Sequence, residues 1–146
     1  MGHTSRREFV KIMCISGAAS SMAMTGCMGN SGADVNCGNV SAIPVGTLRG
    51  IGSDSVIIGR DSAGLYGMSA LCTHAQCDMT SQGSVAPGNI YCQCHGSSFD
   101  NNGNPTAGPA RSQLQHYAVT VSTTGVVTIH QSQQVDAAAR TTVTVA

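Results

Sequence analysis

Two short stretches of this chain carry residues able to do chemistry. They are Cys72-Thr73-His74-Ala75-Gln76-Cys77 and Cys92-Gln93-Cys94-His95-Gly96-Ser97-Ser98-Phe99-Asp100. Cys72 and His74 lie two apart, Cys92 and His95 three apart, and seventeen residues separate His74 from Cys92. Each box therefore offers one thiolate and one imidazole. Two thiolates with two imidazoles suit either a tetrahedral zinc ion or a two-iron cluster with one iron on cysteines and the other on histidines. The further cysteines Cys77 and Cys94 are more than a plain zinc site needs.

The two boxes resemble those of the Rieske iron-sulfur family, C-x-H-x-G-C followed by C-x-C-H-G-S. The resemblance includes the spacing and continues into Gly108-Pro109-Ala110, which looks like the family's proline loop, a third wall around the cluster. It covers roughly residues 43–129. It implies one [2Fe-2S] cluster, with Cys72 and Cys92 on one iron, His74 and His95 on the other, and a disulfide between Cys77 and Cys94 that ties the two loops together. Three positions depart from the pattern. Gln76 stands for the glycine of the first box, Gln93 for the proline of the second, and Phe99 for a tyrosine that donates a hydrogen bond to a ligand sulfur in high-potential members. Ser97 matches the family's other donor. Such hydrogen bonds stabilise the extra negative charge of the reduced cluster and raise its potential. With one donor kept and one lost, the expectation is an intermediate potential, inside the range of about −150 to +300 mV but short of its top.

A chain of 146 residues is one domain's worth, and removing an export segment leaves a small domain with a modest core. Aromatic residues make up only 3% and tryptophan is absent, so a cluster and a disulfide would offset a shortage of large rings. Seven basic residues balance seven acidic ones, but Arg6, Arg7 and Lys11 sit near the start. From Cys27 onward four arginines face six aspartates, a net of −2. No clustered basic face exists, so nucleic-acid binding is not expected.

The stretch Ser5-Arg6-Arg7-Glu8-Phe9-Val10-Lys11 resembles a twin-arginine export signal. The uncharged run that follows, residues 12–26, is too short and too diluted by Gly, Ser and Ala for a spanning helix, which needs about 20 apolar residues. It fits an export segment. That route carries folded proteins in its family, which suits a cofactor assembled in the cytoplasm, and a disulfide would persist beyond the membrane. Met24-Thr25-Gly26-Cys27 resembles a lipobox, so residues 1–27 are expected to form the signal, with Cys27 lipidated. An uncleaved signal serving as membrane anchor is the competing reading. Residues 28–42 are expected to be a flexible tether and residues 43–146 the domain. Of the seven cysteines, Cys37 is then an odd thiol in the tether, idle or paired with Cys27 or another subunit.

From residue 43 the pattern becomes short alternating runs: residues 43–48, 55–59, 65–71, 117–121 and 126–129, with residues 141–145 as a last strand. Ser122-Thr123-Thr124-Gly125 reads as a hairpin turn. No long amphipathic helix is visible there, so the expected fold is all-β, a small antiparallel sandwich or barrel. Both boxes fall between strands, placing the site on loops at one tip, where a partner can reach it. His116 and His130 are expected at a surface or edge, and Asp100 as a loop-positioning residue.

No nucleophile with its base, carboxylate pair or phosphate loop is present, so no substrate turnover is expected of the chain alone. The leading reading is the electron-transfer subunit of a bacterial membrane quinol-oxidising cytochrome bc-type complex, on the periplasmic face, with quinol and cytochromes as partners. One alternative is the small subunit of a periplasmic molybdenum oxidase of the arsenite oxidase type, beside a molybdopterin subunit. Another, of a different class, is a structural Cys2His2 zinc-binding module.

Overall fold

The computed structural model describes residues 32–144. The export signal with Arg6 and Arg7, and the lipobox with Cys27, lie outside the described residues. Within them the chain runs through ten strands: β1 (Asp34–Asn39), β2 (Leu48–Ile51), β3 (Val56–Asp61), β4 (Gly64–Ser69), β5 (Gly83–Ala86), β6 (Asn89–Cys92), β7 (Ser97–Phe99), β8 (Pro105–Ala107), β9 (His116–Val121) and β10 (Val126–Val135). A six-stranded sheet has the order β1-β10-β9-β4-β3-β2, and a four-stranded sheet the order β5-β6-β7-β8. Every strand pairing is antiparallel. The fold is all-β, as the residue pattern indicates.

Alternation along the central strands explains how one sheet serves two cores. In β3 and β4, Val56, Ile58 and Leu65 point to one side, where Val35, Val119, Val127 and Ile129 join them. Strands from β1 round to β3 thus line a single core, so the large sheet curls around it. On the other side Ile57, Tyr66 and Met68 pack with Met79, Ile90, Phe99 and Leu114 of the small sheet and its loops, and Cys72 and Cys92 belong to this second core. Two glycines make the close packing possible. A Cβ on Gly59 would strike the Tyr66 ring, and one on Gly67 would lie 2.8 Å from Ile129 Cγ1.

The structure corrects the expected tether. Residues 34–39 form β1, which pairs along β10 with Asp34 opposite His130 and Val35 opposite Ile129. Val35 and Cys37 are buried while Asn36 between them is exposed. The folded domain therefore starts by residue 34 rather than 43. Cys37 is correspondingly no tether thiol: it is 3% exposed, and burial pushes its thiol up to about 11, which keeps it protonated and inert.

Other boundaries moved for local reasons. The strand expected over residues 43–48 begins only at Leu48, because a 3-10 turn (Val40–Ala42) and a turn closed by Thr47 N–H on the Pro44 carbonyl precede it. β10 runs past Ile129 to Val135 through a bulge between His130 and Gln134, along a polar run that carries no alternation. The last strand is reduced, among the described residues, to one bridge between Leu65 and Thr141. The hairpin over Ser122–Gly125 forms as read, with Gly125 at φ +83°.

Candidate metal centre

Each box is a loop closed by its own backbone. In the first, Cys72 N–H donates to the Cys77 carbonyl at 2.9 Å and Gln76 N–H to the Cys72 carbonyl at 2.8 Å. In the second, Cys92 ends β6, Ser97 starts β7, and Gly96 N–H donates to the Cys92 carbonyl at 3.1 Å. The structure joins Cys77 to Cys94 in a disulfide, with Cα atoms 6.6 Å apart. This clamps the two loops face to face. The Cys92 sulfur lies within 4.8 Å of both disulfide sulfurs.

The four remaining donors sort by depth. Cys72 and Cys92 are buried, 2% and 1% exposed, with the Cys72 thiol near enough to act on that of Cys92. His74 and His95 are exposed, with ring centroids 4.7 Å apart and planes at 80°. Burial pushes the Cys92 thiol up, and the adjacent Cys72 thiol adds to this against the lowering effect of the Cys94 and His95 backbone N–H groups. Two neighbouring buried thiols cannot both ionise without a cation between them. This donor set, sulfur inside and nitrogen outside, fits a two-iron cluster with unlike irons.

The proline loop forms the third wall. Gly108, at φ +83°, lies so close that a Cβ would strike the Gly96 carbonyl and Ser97 Cα, which only glycine permits. Pro109 is partly buried beside it. Ala110 N–H donates to Ser97 Oγ at 3.1 Å, and Thr73 Oγ1 donates to the Ser112 carbonyl at 2.7 Å. Ser97 is fully buried and stands opposite Cys92 in the β6–β7 register. Since its oxygen accepts from Ala110, its own hydroxyl hydrogen is available to a sulfur. Phe99, also buried in this core, brings no donor.

The two glutamine departures acquire physical content. Gln93 N–H donates to the Gln82 carbonyl at 2.9 Å, a bond that proline could not make. Gln76 sits at φ +58°, the left-handed region that costs a side-chain-bearing residue about 1–2 kcal/mol. Gln76→Gly is therefore expected to raise stability by about 0.5–1 kcal/mol after allowing for the looser unfolded chain. Urea denaturation of the loaded domain checks this, and a lower midpoint would contradict it.

The one sequence signal at Asp78 is that of a turn, an aspartate two residues before a threonine. Burial alone would raise its pKa, but Ser55 Oγ at 2.6 Å, Thr80 Oγ1 at 2.6 Å and Thr80 N–H at 2.8 Å hold it below the usual carboxylate range. The ionised group pins the base of the first box, where Asp78 bridges to Leu71. Asp100 does the same after the second box, accepting from the Asn102 and Asn104 N–H groups and from Asn104 Nδ2.

The histidines outside the boxes divide. His130 lies at the sheet surface, bonded to Asp34 and Thr120. His116 is a correction: it is buried, with Nδ1–H donating to the Leu114 carbonyl at 3.0 Å and Nε2 without a partner among the described residues. Burial lowers its pKa and keeps it neutral.

The sequence model of the Rieske [2Fe-2S] domain matches residues 34–118, more than half of the chain. The chain is 34% identical over 84 residues to the cytochrome b6-f complex iron-sulfur subunit of Synechococcus sp. (strain CC9605), a match covering 54% of this chain and 43% of the relative. It is 40% identical over 63 residues to the subunit of the same name from Trichodesmium erythraeum (strain IMS101), covering 43% and 34%. The chain thus spans less than half the length of these relatives. Among solved structures, the complex of oxygenase and ferredoxin in carbazole 1,9a-dioxygenase contains a chain similar in fold, at TM-score 0.52 and 20% identity, covering 70% of this chain and 97% of that one.

Proposed function

The chain belongs to the Rieske [2Fe-2S] domain family, and from that premise we propose that it is a one-electron carrier of a membrane quinol-oxidising cytochrome bc-type complex. In this reading Cys72 and Cys92 hold one iron of the cluster, and His74 and His95 the other. The observation that carries the reading is the depth order of the donors, two buried thiols in the core beneath two paired imidazoles in solvent. The family match leaves the zinc-module alternative without support.

When bound, the cluster supplies a one-electron couple. The chain does the rest. The buried side of the site keeps water from the sulfurs, while the exposed rings of His74 and His95 can exchange their outer protons with solvent or a quinol. The Cys77–Cys94 link holds the imidazole-bearing loops at fixed separation. Ser97 donates toward a sulfur, and Phe99 withholds a second donor. That loss favours an intermediate potential and keeps the arsenite oxidase type of partnership, with a molybdopterin subunit, as the second reading.

Export by the twin-arginine route through Arg6 and Arg7, lipidation at Cys27 and residence on the periplasmic face of a bacterial membrane complete the proposal. The relatives, named as subunits of a cytochrome b6-f complex, support a membrane complex with cytochrome partners.

The test is a pH series of redox titrations with paramagnetic resonance of the reduced domain. A rhombic signal with a potential that falls as pH rises supports the carrier; fully metallated protein without an iron signal would sink it. Two variants refine the reading. Ser97→Ala is expected to lower the potential and Phe99→Tyr to raise it, each without loss of iron. Unchanged potentials in both would remove these two residues from the tuning.

A further inference from the structure

Ser55, in the turn between β2 and β3, sits at φ +52°, the left-handed region that side-chain-bearing residues rarely adopt. It is held there from both ends. Its carbonyl accepts from Ala70 N–H at 2.8 Å, and its Oγ donates to Asp78 Oδ2 at 2.6 Å. A residue persists in such a conformation only where its surroundings hold it, and such positions gather at functional sites. The function within reach is the metal centre: Ala70 stands two residues before Cys72, and Asp78 directly follows Cys77.

From Asp78 the hydrogen bonds run on to both boxes. Its backbone bridges to Leu71, beside Cys72. Its carbonyl accepts from Gln82 N–H at 2.7 Å, closing a turn over residues 78–82, and the Gln82 carbonyl accepts from Gln93 N–H, between Cys92 and Cys94. Asp78 Oδ1 caps that turn through Thr80 N–H and Thr80 Oγ1. Thr80 in turn packs so tightly on β2 that a Cβ on Gly50 would lie 2.7 Å from its Cγ2. One residue thus fastens the first box, the second box and the large sheet together, by a route separate from the Cys77–Cys94 disulfide.

The charge on this residue is not cancelled. Asp78 is half-buried, and every hydrogen-bond partner of its carboxylate among the described residues is a neutral hydroxyl or N–H. The two salt bridges among the described residues engage Asp34 and Asp61 instead. We propose that Asp78 is a positioning residue of the metal centre and that its fixed negative charge biases the cluster toward the oxidised form. The inference rests on the carrier reading and adds to it a residue outside both boxes. Reduction places one more negative charge on the cluster, and a carboxylate anchored beside Cys72 opposes that addition. The potential is therefore lower than the ligands and Ser97 alone would set. Three neutral donors hold the charge in place without removing it.

The test uses the full chain loaded with iron. Asp78→Asn keeps the size of the side chain and its bond to Thr80 N–H but removes the charge. At an electrode potential fixed at the midpoint of the unaltered protein, its ratio of reduced to oxidised cluster is expected to rise about two- to fifteenfold, the span for one unit charge about 10 Å away between water and protein-surface screening. Asp136→Asn removes an equal charge from an exposed position just beyond β10 and should leave the ratio unmoved. Asp78→Ala removes the clamp as well, so amide hydrogen exchange at Gln93 is expected to quicken about tenfold or more. Should that variant fail to fold, Ser55→Ala, which takes away one anchor only, replaces it in the exchange measurement. An unmoved ratio in Asp78→Asn, an equal rise in Asp136→Asn, or unaltered exchange at Gln93 would overturn the proposal. Absence of any iron signal from the unaltered protein would instead defeat the carrier reading; exchange at Gln93 needs no redox centre and still decides whether Asp78 positions the boxes.

Discussion

Cys92→Ser is expected to abolish cluster binding, with iron content falling close to zero and no paramagnetic signal after reduction. Cys92 is the centre of the site: 1% exposed, near the Cys72 thiol and beside the Cys77–Cys94 disulfide. A serine hydroxyl there has a far higher pKa and is a poor ligand for iron, so the inner iron would lose one of its two proposed protein ligands. Because the site also staples a small core, such a protein could fail through misfolding. His95→Cys separates the two causes. It lies on the exposed side, keeps four ligands and is expected to retain iron, while the pH dependence of the potential weakens with one imidazole gone. Full iron content in Cys92→Ser, or unaltered pH dependence in His95→Cys, would refute the proposed ligand set.

Removing the disulfide by Cys77→Ser with Cys94→Ser is expected to cost about 3 kcal/mol in denaturant unfolding. The bridge closes a loop of sequence separation 17, and constraining the unfolded chain over that length is worth about that much. The site should suffer too. Cys77 and Cys94 adjoin the loops that carry His74 and His95, whose rings are held 4.7 Å apart without any direct bond between the loops other than this one cross-link. Iron is therefore expected to leave the double variant faster under a chelator. A loss below about 1 kcal/mol, with unaltered iron release, would show that the proline loop alone suffices to hold the boxes.

The chemistry was legible in the chain because it is local. Each box is a closed turn whose ligand spacing, C-x-H and C-x-x-H, is determined by covalent reach, and Gly96 and Gly108 mark the tight approach of backbone to backbone. The hairpin at Ser122–Gly125 was legible for the same reason. Its turn residues dictate a reversal whatever surrounds them.

What misled was composition read without partners. Residues 34–39, with two asparagines and a glycine, look like a tether, yet their alternate residues Val35 and Cys37 fill a core supplied by β9 and β10, more than eighty residues away in sequence. His116 looks like an edge residue from its neighbours, and its burial depends on Met68 of β4 lying opposite.

The sequence by itself determined the all-β class and the two boxes of one cysteine and one histidine each, since these follow from residue type and short spacing, while the wall at Pro109 and the tuning roles proposed for Ser97 and Phe99 came with the resemblance to the Rieske family. Only the tertiary structure decided which donors lie deep and which face solvent, that Cys37 is sealed inside, and that Asp78 anchors the first box. Depth and charge neighbourhood are sums over strands distant along the chain, and a hydrophobic core acts on a side chain only after the sheet has brought its walls together.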